Sequence, residues 1–458
     1  MKQILWFRRD LRITDSALLH YAKDEVLPIF IFDKNILDSL PKDDKRVSFI
    51  YESVLNLKRE LQSLGLDLAI FYDEPLNVFK TLSKDFDEVL CSIDFDAYAI
   101  KRDIEVEKLL PLKRFNDSFI LNPNDHLKAD ETPYKVFTPF YKSLNLITQS
   151  SSIEEYKLNE KLKLANFDYR KVISLEQLGF KKQELPSFLY KDARDLLKEF
   201  LLKIDDYQIN RDFFYKDATS KLSVHLRFGL ISPKEIFNIV KKSNVNDYEF
   251  FIRELFWREF YNYILFHFPS SQSENFNGIN ISWNENEDDF QKWCEGKTGV
   301  PIIDAAMIHL NKTGLMHNRL RMIVASFLTK NLFIDWKKGE KYFALKLLDY
   351  EASSNIGSWQ WAASTGADAA PYFRIFNPYT QSSKFDKDGL FIKSVIKELE
   401  EVDPKLFHIE NALSSNLFYN YPKSIVDISL SRKRAIENFK RAKDENLWFS
   451  HYWLGNGR

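Results

Sequence analysis

Residues 1–12 read MKQILWFRRDLR. A short apolar run, Ile4–Phe7, stops abruptly at Arg8, Arg9, Asp10 and Arg12. That order of charge is the reverse of a secretory signal and reads as a buried strand leading into a polar loop. Runs of the same kind recur at Val26–Phe32, Leu68–Tyr72, Val89–Ile93 and Phe119–Leu121. Between them lie stretches of helical period: over Val47–Leu64, apolar residues stand at 47, 50, 54, 57, 61 and 64. Strand and helix in alternation predict a parallel sheet with covering helices across residues 1–121. No G-x-G-x-x-G follows the first run, which excludes an ordinary dinucleotide binder.

Residues 122–204 are rich in Asn, Asp, Pro, Ser and Lys with weak periodicity, the pattern of a long connector with short helices. From about 205 onward strand patterns vanish. Ile231–Val240, Asp247–Phe266, Ile302–Lys312, Arg319–Leu328, Gly339–Leu348 and Arg432–Lys443 all read as helices. The fold class is therefore α/β plus all-α. With 458 residues, 45% apolar and 29% charged, the chain can bury a large core. Its 65 basic and 66 acidic residues nearly cancel, so a nucleic-acid partner requires basic charge gathered on one face. Two distant cysteines, Cys91 and Cys294, exclude a disulfide scaffold or a cysteine zinc cluster and fit a reducing, cytoplasmic setting. No apolar run reaches membrane-spanning length. Aromatics reach 15%, which fits either a phenylalanine-rich core or a site for planar ligands.

Four segments carry chemistry. In Ile252-Arg-Glu-Leu-Phe-Trp-Arg-Glu-Phe-Tyr261, a helix brings Glu254, Trp257, Arg258 and Tyr261 to one face, with Phe256, Phe260 and Ile264 as the packing stripe beside it. An acid, an indole and a guanidinium suit a polar planar ligand; the same spacing also describes an ion pair beside a core tryptophan. In Met316-His-Asn-Arg-Leu-Arg-Met322, Asn318, Arg321 and Met322 share a face next to Arg319. That set suits base edges and phosphates, and equally a basic helix end. Trp336, Asp349-Tyr-Glu351, Asn355, Trp359 and Trp361 form the third group: indoles stack on flavins and bases and lose one electron readily, or they simply fill a core. Thr219-Ser-Lys-Leu-Ser223 offers hydroxyls and backbone N–H groups to a phosphate, or a plain helix cap. Glu295-Gly-Lys-Thr-Gly299 is rejected as a phosphate loop, because Gln291 stands where that motif needs glycine. No metal-ligand spacing and no nucleophile elbow is present.

Together these segments resemble the photolyase/cryptochrome family along nearly the whole chain. The resemblance is carried by Trp6–Arg12, Tyr134-Lys-Val-Phe-Thr-Pro-Phe140, Glu254–Tyr261, Glu295–Met307, Met316–Met322, Trp359-Gln-Trp-Ala-Ala-Ser-Thr-Gly366 and Arg374-Ile-Phe-Asn-Pro378. It implies a Rossmann-like antenna domain over 1–121, a connector over 122–204 and a helical FAD- and DNA-binding catalytic domain over 205–458. The chain is most similar to bacterial class I enzymes of the family that repair cyclobutane pyrimidine dimers. In these, photoexcited reduced FAD lends an electron to a dimer flipped out of DNA, the cyclobutane ring opens and the electron returns.

The resemblance also implies roles. Tyr207, Thr219, Ser220, Lys221, Leu222 and Ser223 match the segment at the FAD phosphates. Arg321 and Asp349 match a salt bridge beside the flavin, with Tyr350 and Glu351 following, and Asn355 matches the residue facing its central-ring nitrogen. Glu254 matches the acid that hydrogen-bonds the dimer carbonyls; to donate it must be protonated, which burial favours. Trp257 and Trp361 match the indoles that sandwich the lesion. Asn318 and Met322 match further dimer contacts, Arg319 a strand-backbone contact, and Arg258 lies beside Glu254. Lys135, Arg211, Arg374 and Lys384 complete a candidate basic face. Trp359, Trp336 and Trp283 match a chain of tryptophans that reduces the flavin in light, with Trp293 a nearby alternative for the outermost place.

Three departures stand out. Asp349-Tyr-Glu351 replaces the usual Asp-Gly-Asp, and Ser354-Asn-Ile-Gly-Ser358 replaces a run with two asparagines and two glycines. Tyr98-Ala99 replaces the Asn-Glu pair of folate-binding members, whereas Asp33, Arg46, Asp94 and Asp96 match polar positions of members that hold a deazaflavin or FMN antenna. The single histidine in Met316-His-Asn-Arg favours the cyclobutane lesion over the (6-4) photoproduct. A blue-light-sensing cryptochrome, a single-strand-preferring enzyme and a (6-4) photolyase are the alternatives. The sensor is disfavoured by the absence of a long tail. A monomer is expected.

Overall fold

The computed structural model describes residues 1–150, 153–243, 245–246, 248–416 and 418–455, the side chains of 150 and 446–455 excepted. They divide into two compact units. The first holds Met1–Tyr134, Thr138–Asp205 and Ser220–Pro269; the second holds Lys135–Phe137, Asp206–Thr219 and the chain from Ser270.

In the first unit six strands form one sheet: β1 (Lys2–Phe7), β2 (Glu25–Asp33), β3 (Ala69–Asp73), β4 (Glu88–Ser92), β5 (Leu112–Phe115) and β6 (Lys163–Leu164). The order is β3-β2-β1-β4-β5, every pair parallel, with β6 added beside the start of β2. Ile4 lies opposite Leu27 on one side and Val89 on the other. β1 and β2 are buried nearly throughout, as a parallel sheet covered on both faces requires. One core gathers Ile4, Trp6, Ile29, Val89 and Cys91 against Val78, Phe79 and Val106. The order reverses direction between β1 and β4, the point where open α/β sheets form a crevice at their carboxyl ends.

One strand differs from the sequence expectation. The fifth is Leu112–Phe115, not Phe119–Leu121. Lys113 and Arg114 hide this edge strand from an apolar-run reading. Phe119 is buried without being in a strand, packing with Phe95 and Leu265. The expected helix Val47–Leu64 is present as Lys45–Ser63.

The charges that end β1 do not face solvent. Arg8 pairs with Asp103 at 2.6 Å and lies over Trp6. Arg12 pairs with Asp117 at 2.9 Å and donates to the carbonyls of Asp15 and Gly229. Asp15 in turn accepts from the Tyr156 N–H and the Ser232 hydroxyl. Gly229 has φ +67°, and a side chain there would overlap the Arg9 carbonyl. The Arg8–Arg12 signature thus ties residues 229–232 to the sheet through buried ion pairs and hydrogen bonds to backbone carbonyls.

Helix α1 (Glu249–His267) closes the first unit. Between Phe251 and Leu265 it is buried except for a strip at 253–254, 257–258 and 261. In the second unit, α2 (Asn318–Ser326) runs into a π-helical turn at Phe327–Asn331, followed by α3 (Trp336–Lys346) and α4 (Ala352–Ala363). The expected continuous helix Arg319–Leu328 therefore changes register at Phe327. The π turn brings fully buried Lys330 to the end of α4, where Nζ donates to the Ala363 carbonyl at 3.0 Å and to Ser364 Oγ at 2.8 Å. Burial pushes the Lys330 ammonium pKa well down, and its N–H groups serve as donors to the otherwise unpaired end of the helix. Thr298 and Gly299, in the segment rejected as a phosphate loop, spend their N–H groups on buried Asp304. No described helix is long and apolar enough to cross a membrane.

Candidate functional site

The second unit concentrates the candidate residues on α2, α3 and α4. Arg321, on α2, reaches Asp349 through Nη2 at 3.0 and 2.8 Å, and its Nε donates to the Met316 carbonyl at 2.8 Å. The carboxylate is nearly buried while the guanidinium stays partly open. Asn355, on α4, is buried. Its Nδ2 donates twice to Glu340 of α3, to the backbone oxygen at 3.1 Å and to Oε1 at 2.9 Å. Burial pushes the Glu340 carboxyl up, opposed by the bonds from Asn355 and the Tyr350 hydroxyl and by the charge of Lys341. Glu351 is buried and accepts from the Ser354 hydroxyl at 3.2 Å.

The tryptophans are graded by burial. Trp359 and Trp336 are 2% and 1% exposed, and Trp283 is only partly buried. Trp359 lies against the bare backbone of Gly339, where a methyl group would overlap its ring and the Leu328 side chain. Gly339→Ala is therefore expected to destabilise the protein by about 1–3 kcal/mol and to displace the indole. A lowered urea midpoint together with altered tryptophan fluorescence checks this. Trp336 donates its indole N–H to Asn275 Oδ1 at 2.8 Å. Trp283 packs on Phe333 and Phe439. Trp293, the alternative outermost residue, is fully buried, donates to the Val324 carbonyl and meets Trp359 edge-on at 6.0 Å. Its place is beside Trp359.

Asn318 is exposed at the start of α2, its amide 3.8 Å from Met322 Sδ. His317 caps this helix by accepting from the Arg319 N–H, and burial lowers its pKa to about 4, which keeps the accepting nitrogen free. Arg319 pairs with Asp212 at 2.7 Å and lies over Phe385, which Lys384 also flanks. Arg374 and Lys384 are exposed, and Arg211 lies over the Tyr207 ring. All five basic candidates, Lys135 among them, belong to this unit. Trp361 is partly buried against its core.

In the first unit, Glu254, Trp257, Arg258 and Tyr261 are the part-buried strip of α1. Trp257 packs on Phe260 and Tyr261. Arg258 donates to the Ser118 carbonyl at 2.8 Å, so its guanidinium is held at the segment after β5. Thr219 ends one unit and Ser220 opens the other. Lys221 has φ +58°, Leu222 is buried, and the helix that starts at Ser223 has no side-chain cap. At the crevice beyond β1 and β4, Asp94 accepts from Arg9 at 3.1 Å. Burial works against its charge, yet Arg9, Arg227, Arg8 and Arg102 outweigh it and the pKa falls to about 2. Asp96 caps the helix Ala97–Glu107. Asp33 accepts from the Tyr98 hydroxyl, and Arg46 pairs with Asp44.

Glu340, Lys330, Gly339 and Asn275 were not singled out by sequence reasoning. Each is a polar or small residue whose partner lies elsewhere in the chain, and none breaks a local pattern.

The donor set fits a flavin. Asn355 has both amide hydrogens committed to Glu340, and its Oδ1 accepts from no described residue. Nη1 of Arg321 likewise makes no hydrogen bond among the described residues. One oriented acceptor on α4 and one cationic donor on α2 are thus left uncommitted, a combination suited to a ring carrying N–H and carbonyl groups.

Comparison with known proteins agrees. The FAD binding domain of DNA photolyase matches residues 251–441, and the DNA photolyase domain matches 3–157. A deoxyribodipyrimidine photo-lyase from Alkalihalophilus pseudofirmus is 34% identical over 96% of this chain and 98% of its own. A class III photolyase from Agrobacterium tumefaciens superposes with a TM-score of 0.82 at 32% identity, covering 97% and 98% of the two chains. An archaeal photolyase from Sulfolobus tokodaii, described with two FAD molecules, gives 0.84 at 34% identity, covering 96% and 100%. The chain belongs to the photolyase/cryptochrome family. Its cofactor is FAD.

Proposed function

We propose that this chain is a light-driven DNA lyase that splits cyclobutane pyrimidine dimers. The reading is carried by α4, which holds Asn355, Trp359 and Trp361 within seven residues: a ring-facing amide, an electron donor and a base-stacking indole. Bound, reduced FAD supplies the photoexcited electron. Everything else is the work of side chains. Trp257 and Trp361 match the indoles that stack on the extruded lesion, and Asn318 and Met322 match further dimer contacts. Glu254 hydrogen-bonds the pyrimidine carbonyls where negative charge develops. Arg258 supports that helix from the Ser118 side. Arg319, with Lys135, Arg211, Arg374 and Lys384, neutralises phosphates, so binding weakens with salt. Trp283, Trp336 and Trp359 pass an electron inward to restore the reduced cofactor. Tyr207 and Thr219–Ser223 hold the FAD phosphates, and Arg321, Asp349, Tyr350 and Glu351 flank the ring.

Functionally the chain divides into an antenna domain over 1–121, a connector over 122–204 and a catalytic domain over 205–458. A flavin-type antenna in the first rests on the match of Asp33, Arg46, Asp94 and Asp96 to polar positions of members that hold one. One absorption spectrum of the purified protein tests it, because an antenna adds a band to those of FAD.

The deciding experiment is product analysis after blue light on dimer-containing duplex and single-stranded DNA. Monomeric pyrimidines from the duplex support the reading, single-strand repair alone indicates a single-strand-preferring enzyme, and no product from either sinks it. Glu254→Ala should lower repair yield severalfold at unchanged FAD content; loss of one charge-assisted hydrogen bond corresponds to roughly tenfold. Unchanged yield would remove the role given to that acid.

A further inference from the structure

We propose that Glu340 and Tyr350 act as a clamp that fixes the side-chain amide of Asn355 with its carbonyl oxygen outward, so that Asn355 meets the cofactor only as a hydrogen-bond acceptor. This rests on the flavin site read above. An asparagine amide is nearly symmetric in shape, and its two orientations differ only in whether oxygen or nitrogen faces a neighbour. Here both hydrogens of Nδ2 end on oxygens of a single residue, the backbone oxygen of Glu340 at 3.1 Å and Oε1 at 2.9 Å. Turning the amide over would set its oxygen against those two acceptors, one of them a carboxylate. The Tyr350 hydroxyl bonds the same carboxylate.

The consequence is chemical. An outward carbonyl oxygen favours a ring nitrogen that carries hydrogen, and disfavours one that presents a lone pair. The clamp thereby stabilises the protonated, reduced state of the ring against the oxidised one without placing a charge on it. Glu340 and Tyr350 are positioning residues, since they act through Asn355. A purely structural role is a weak alternative, because α3 and α4 are already locked by Trp359 against Gly339.

Holoprotein of wild type, Glu340→Gln and Tyr350→Phe is reduced and then exposed to air, and FAD content, urea midpoint and the rate of flavin reoxidation are read by absorbance. Glutamine can offer its own N–H₂ to a reversed Asn355, so Glu340→Gln should reoxidise roughly three- to tenfold faster at normal FAD content. Tyr350→Phe should change in the same direction by less. Wild-type rates in both variants at full FAD content would overturn the clamp while leaving the site reading intact. If Glu340→Gln fails to hold FAD, an unchanged rate in Tyr350→Phe overturns it alone. Purified wild type that carries no flavin would instead overturn the site reading, and the clamp with it.

Discussion

Replacing Trp336 by phenylalanine is expected to cut flavin photoreduction by at least about a hundredfold, while protein reduced chemically beforehand still repairs dimers. Trp336 and Gly339 stand three residues apart on α3 and so share a face, and Gly339 receives the Trp359 ring. Both indoles are buried in one core, and Trp283 is only partly buried beside it. Asn275, which accepts the Trp336 N–H at 2.8 Å, is neutral and takes no proton, so an oxidised Trp336 keeps its proton and can be refilled from Trp283. A phenyl ring at that place has no comparable readiness to lose an electron, and the chain is cut in its middle. The substitution leaves a small cavity costing about 1–2 kcal/mol, so fold and FAD content should persist. Photoreduction at the wild-type rate would assign the electron path to other residues, Trp293 first among them.

Arg321→Leu is the second large effect. It strands the Asp349 carboxylate, whose side chain is 6% exposed, without its partner. Removing one member of a buried pair costs on the order of 3 kcal/mol, and FAD content after gel filtration should fall with the urea midpoint. The double change Arg321→Leu with Asp349→Leu separates the two losses. Two apolar residues remove the uncompensated charge, so the midpoint should largely recover while FAD stays absent. FAD retained at wild-type stoichiometry in the double variant would show that the pair serves the fold alone.

Much of this was legible before any coordinates. Val26–Phe32 and Val89–Ile93 are almost wholly apolar, broken only by Pro28 and Ser92, because parallel strands are covered on both faces, and both stand in the sheet at nearly those limits. Edge strand Leu112–Phe115 escaped notice because Lys113 and Arg114 break its pattern. The spacing of Glu254, Trp257, Arg258 and Tyr261 predicted one shared face, and that strip is what α1 leaves part-exposed. Glu340 gave no sign of itself: on Trp336–Lys346, among Lys337, Lys338 and Lys341, it reads as a solvated position.

What the amino-acid order determined alone was local and periodic: strand and helix type, their succession, and motifs long enough to declare the family. Those depend on neighbours within a turn or two. Tertiary structure alone decided which distant groups share a proton or a charge. Arg12 finds the Gly229 carbonyl, Lys330 finds the end of α4, and Glu340 turns Asn355. Hydrogen bonds act over about 3 Å, whereas sequence separation says nothing about distance once the chain has folded back on itself.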